Sequence, residues 1–73
     1  MTMPHERSRA IVQTQEFLEQ LSRDASQSKE VRRTAIHLLR HYPSKSEVLL
    51  QGGIQEGLAA KYGYQPFLSS KLE

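Results

Sequence analysis

The sequence predicts an all-α protein: a small helical bundle of two antiparallel amphipathic helices (about 4–24 and 28–42) with a shorter C-terminal helical segment (about 45–62). Two stretches repeat their apolar residues at helical spacing, and serine caps stand before the second helix and the third. Few strands suggest themselves, and no internal repeat is visible.

The first helix begins at Pro4, where the missing N–H is not needed, and Glu6 complements its positive end. No glycine or proline intervenes before Arg23. Ala10, Ile11, Thr14, Phe17, Leu18, Leu21 and Ala25 fall within an arc of about 120° and form the expected core-facing stripe. Glu19 and Arg23 make an i,i+4 pair on the other side, and Val12 lies well off the stripe.

Residues 24–28 are small and polar and read as a turn, with Ser28 as N-cap and Glu30 in the first turn of the second helix. Val31, Ala35, Leu38, Leu39 and Tyr42 set its apolar side. Pro43 disfavours helical geometry at Tyr42, and Arg40 with His41 suits the negative helix end.

Ser44-Lys45-Ser46-Glu47 is a capping box directly before Val48-Leu49-Leu50. Gly52-Gly53 is expected to interrupt or bend the third helix, since each interior glycine costs about 1 kcal/mol. Ile54, Leu58 and Tyr62 share one side, and Gly63 is suited to the C′ position. Residues 64–73 read as an irregular or flexible tail whose aromatics lie over the bundle, and Leu72-Glu73 has the look of an expression-tag junction. The whole chain, 1–73, is expected to be one domain.

Composition narrows the function classes. The chain has 73 residues, is 37% hydrophobic and 25% charged, and contains neither cysteine nor tryptophan. Disulfides, thiol chemistry and cysteine zinc sites are therefore excluded. No apolar run exceeds three residues, so no membrane span or signal-peptide core is expected. A domain this short holds only about 3–5 kcal/mol of core stability, which makes self-association or a partner the natural staple. The net charge of +2 is segmented. Lys29, Arg32, Arg33, Arg40 and Lys45 face Glu30 alone in residues 25–45, between two mildly acidic segments. Such a segment steers an anionic partner or binds the acidic flanks of another copy.

Two stretches carry a family resemblance. Met1-Thr2-Met3-Pro4-His5-Glu6-Arg7, followed by Arg9-Ala10, Gln13-Thr14 and Glu16-Phe17-Leu18, resembles the opening of a family of short bacterial proteins of unassigned function. Val31-Arg32-Arg33 with Leu38-Leu39-Arg40-His41-Tyr42-Pro43 is similar to the same family, so the likeness covers about residues 1–47. It implies a cytoplasmic helical bacterial protein and brings no activity, cofactor or catalytic residue with it.

Among candidate sites the basic side of helix 2 is the sharpest. Lys29, Arg33, Arg40 and His37 lie nearly opposite the apolar stripe, with Arg32 at the edge and Lys45 beyond, a ridge able to follow phosphates. The plainer account is a solvated face that keeps a small protein soluble, and no RNP, zinc-finger or KH pattern accompanies it. Leu58 to Tyr64 looks like the first helix and turn of a helix-turn-helix, but the following segment is short and Leu68 falls one residue early. His37 and His41 form an i,i+4 pair without a third ligand nearby in sequence, so no metal is expected. The serines sit at turns, caps and tail, and no G-x-S-x-G elbow or closely spaced carboxylate pair is present, so neither an enzyme nor a cofactor is expected.

Val12 and Ile36 are misfits, each an apolar β-branched residue on an otherwise polar face. Burial between two copies would account for both, which makes them the candidate self-association residues of a homodimer. The residues together favour a cytoplasmic module that presents helix faces to a protein partner, including itself. A weak nucleic-acid-binding regulator is the alternative, and no membrane role is expected.

Overall fold

The computed structural model describes residues 2–73. It holds three helices, α1 (Pro4–Arg23), α2 (Lys29–Leu39) and α3 (Lys45–Tyr62), and no strand among the described residues. The protein is a small all-α bundle.

Local chemistry sets the helix ends. Glu6 accepts a hydrogen bond from the Met3 N–H at 2.9 Å, closing the start of α1. Between α1 and α2, Asp24 accepts from the Ser26 N–H at 2.9 Å and the Ser26 hydroxyl at 2.6 Å, an Asx turn. Ser28 Oγ then caps α2 by accepting from the Val31 N–H at 3.1 Å. α2 ends at Leu39, earlier than expected, and residues 40–42 close with tighter turns from His41 N–H to Leu38 and Tyr42 N–H to Leu39. Pro43 excludes further helix. At α3 the capping box is complete, with Ser44 Oγ accepting from Glu47 N–H (3.2 Å) and Glu47 accepting from Ser44 N–H (3.0 Å). Gly63 ends α3 in the left-handed conformation at φ 77°, where only glycine is unstrained.

Two expectations about α3 are corrected. It runs unbroken through Gly52-Gly53, and at 18 residues it is longer than the 11-residue α2. The helix survives because Gly52 has a packing purpose: a Cβ there would sit 2.0 Å from Ser69 O and 2.6 Å from Ser70 N. The C-terminal segment crosses α3 at that point. No second helix follows Gly63, so the helix-turn-helix reading of residues 58–71 fails as well.

That segment is a strap tied to α1 and α3. Ser8 Oγ, on α1, donates to Ser69 O and accepts from Ser69 N–H, both at 2.9 Å. Gln55 Oε1 accepts from the Phe67 and Leu68 N–H groups at 3.0 and 2.8 Å. Glu56 accepts from Ser70 N–H at 2.8 Å and from Ser69 Oγ at 3.2 Å. Arg7 holds the strap from α1, donating from Nε to Phe67 O at 2.7 Å with its guanidinium 4.7 Å from the Phe67 ring centre.

The strap meets α1 on its buried side, at Ser8. The buried residues of that helix are Ser8, Val12 and Leu18, while Phe17 is 60% exposed and Ala10 and Thr14 are exposed. The inward face is rotated by roughly a quarter turn from the apolar stripe. α1 packs along α2, and α3 touches α1 but not α2. The result is elongated, 48 × 21 × 16 Å, with a radius of gyration of 15.0 Å. A compact chain of this length would measure about 11 Å.

Candidate interaction surfaces

The basic residues divide into two groups. Arg33, His37 and Arg40 line one open depression of about 350 Å³ with Thr34 and Ile36. Lys29, Arg32 and Arg33 line a second, of about 260 Å³, with Ser22 and Ile36. Arg33 and Ile36 therefore join the two. Arg32 is half-buried, and its Nε has no hydrogen-bond partner. Its charge helps to hold Asp24 below the usual carboxylate range, after the larger effect of hydrogen bonds from Ser26. Lys45 opens α3 and lines neither depression. The His37 and His41 rings lie 5.8 Å apart, edge to face. No group of three metal-ligating side chains forms among the described residues.

The pairing of Val12 with Ile36 does not hold. Val12 is 5% exposed, buried within the single chain on the same side of α1 as Ser8, whereas Ile36 is 46% exposed. Only Ile36 is available to another molecule.

Two apolar surfaces face outward instead. On the α1–α2 hairpin, Leu18, Leu21, Val31, Ala35 and Leu38 line a groove of about 250 Å³ with Glu30 and Thr34. Val31 and Leu38, expected in the core, are exposed. Their inward neighbours Ala35 and Leu39 are small or half-buried, so α2 lies on α1 by one edge of its apolar side. The second surface is on α3. Val48, Gly52 and Ala59 are buried, while Leu50, Ile54 and Leu58 are exposed on another side and Tyr62 is exposed at the C-terminal end of the helix. The sequence placed Ile54, Leu58 and Tyr62 together, and that grouping by itself does not say which way they face. The available signal was that α3 is apolar on both sides, the pattern of a helix covered twice.

No described helix is long and apolar enough to cross a membrane. Comparison with protein-family models, curated proteins and solved structures finds no match.

Proposed function

We propose that this chain is a protein–protein interaction module of the bacterial cytoplasm, working by presentation of apolar helix faces to a protein partner. One observation carries the reading: most large hydrophobic side chains lie outside. Among the described residues, Val12, Leu18 and Val48 are the buried ones larger than alanine, against eleven exposed, from Met3 to Phe67. Single exposed hydrophobes are ordinary, but these gather into a groove and a ridge. The surface area agrees. It is 5526 Å², about 900 Å² above what a compact protein of this mass exposes. That excess is about one partner's share of a standard interface, roughly 800 Å².

The test is capture of a partner by the wild-type chain and by a Val31→Glu/Leu38→Glu variant, with helicity checked by circular dichroism. A specific protein bound by the wild type and lost by the variant supports the groove as its seat. Equal capture by both, or none by either, argues against that role for the groove.

A second reading rests on Arg33, His37 and Arg40 converging on one depression. It makes the basic side of α2 a weak nucleic-acid contact. Binding to a short duplex or RNA would then weaken steeply with salt and vanish in Arg33→Glu/Arg40→Glu. An unchanged amide spectrum at high micromolar nucleic acid would remove it.

A further inference from the structure

We propose that α3 is the seam of a homodimer, in which two copies pair their α3 helices antiparallel about a two-fold axis at Ile54. The inference rests on the interaction-module reading and names the partner for one of its two surfaces.

The outward side of α3 is self-complementary. At 100° per residue, Glu47, Leu50, Ile54, Leu58 and Lys61 fall within an arc of about 80°, away from the buried Val48, Gly52 and Ala59. Their spacing of three or four residues makes one continuous row about 21 Å long. A two-fold axis at Ile54 sets Ile54 against its own copy and Leu50 against Leu58. The same axis sets Glu47 against Lys61 at both ends of the seam. A parallel pairing would place Glu47 on Glu47 and Lys61 on Lys61, so charge selects the antiparallel arrangement. Glu47 is held below the usual carboxylate range by hydrogen bonds from Ser44, and so stays ionised for this pairing.

Gly57 is the second, independent sign. A Cβ there meets nothing within 4 Å, and its φ is not positive, so nothing in a single copy calls for glycine. Interior glycine nevertheless weakens a helix by about 1 kcal/mol relative to alanine. In the antiparallel register Gly57 stands one turn from the axis on one flank of the seam, against the same flank of the other copy, where a missing side chain lets two backbones approach. The strap does not obstruct the seam, because it crosses α3 at Gly52, Gln55 and Glu56.

The chain has no cysteine, so single cysteines report on the seam without background. Ile54 and Ile36 are equally exposed, each 46%, and make a matched pair. Sedimentation equilibrium of the wild type up to high micromolar concentration should show dimer. Ile54→Glu should weaken dimerisation on the order of a hundredfold or more while leaving helicity unchanged. Ile54→Cys should cross-link with a short bis-maleimide far faster than Ile36→Cys. Lys61→Glu should weaken the dimer, and Glu47→Lys in the same chain should restore it. A wild type that stays monomeric overturns the seam, and the partner-capture experiment at Val31 and Leu38 still decides the interaction reading separately. A dimer indifferent to Ile54→Glu, or cross-linking faster through Ile36, overturns the assignment to α3.

Discussion

Alanine at Gly52 and alanine at Gly57 are the same chemical change, five residues apart in one helix, and they should act with opposite sign. Each replaces an interior glycine, so each raises the helix propensity of α3 by about 1 kcal/mol. At Gly57 no atom lies within 4 Å of the added methyl, and the propensity gain stands alone. At Gly52 the methyl would sit 2.0 Å from Ser69 O, 2.1 Å from Ser69 C and 2.6 Å from Ser70 N. All three are backbone atoms, so the strap must lift. Lifting breaks both hydrogen bonds between Ser69 and the fully buried Ser8, worth about 2–3 kcal/mol together. The exposed hydrogen bonds from Phe67 N–H to Gln55 and from Ser70 N–H to Glu56 add little, because water replaces them. The net expectation is a loss of about 1–2 kcal/mol for Gly52→Ala and a gain of about 1 kcal/mol for Gly57→Ala. Thermal melts by circular dichroism, at concentrations too low for dimer, should show shifts of roughly 4–8 °C per kcal/mol. Gly52→Ala as stable as the wild type would refute the close approach of strap and helix. Equal destabilisation by both would refute the claim that Gly57 is open in the single chain.

Two further outcomes are expected. Ser44→Ala removes the hydroxyl that caps α3 and should cost about 1 kcal/mol in a urea melt, with Ser44→Asn recovering most of it. Hydrogen bonds from Ser70, and more weakly from Ser69, hold Glu56 below the usual carboxylate range. A folded-state pKa that is depressed stabilises above the unfolded value, and the contribution fades as pH falls through the folded one. Acid should therefore raise amide exchange at Ser70 after correction for intrinsic rates, and Glu56→Gln should abolish that acid response. An Ser70 amide whose corrected exchange ignores pH would contradict the contact.

The helices and their ends were legible because their causes are local. Ser28 reaches a backbone N–H three residues away, Ser44 and Glu47 satisfy each other, and Gly63 turns left where only glycine does so without strain. Which side of each helix faces inward was not local. The apolar stripe of α1 predicts Phe17 inside and Val12 outside, and the structure reverses both. That choice is made by segments far along the chain, among them Ser69, which takes Ser8 as its partner on the inward side of α1. No periodicity within α1 contains that information.

The candidate surfaces divide the same way. The basic residues of α2 were readable as a set because they share one helix, and Arg33, His37 and Arg40 do meet at one depression. Lys45 fell outside it because α2 ends at Leu39, Pro43 bars its extension, and Lys45 begins α3. The amino-acid order alone determined three helices, their caps and the grouping of Ile54, Leu58 and Tyr62 on one side. Tertiary structure decided that this side is bare, because a strap packed through Gly52 occupies the other side of α3 and no contact with α2 covers it. Periodicity records which residues share a face, and only the packing of distant segments decides which face is covered.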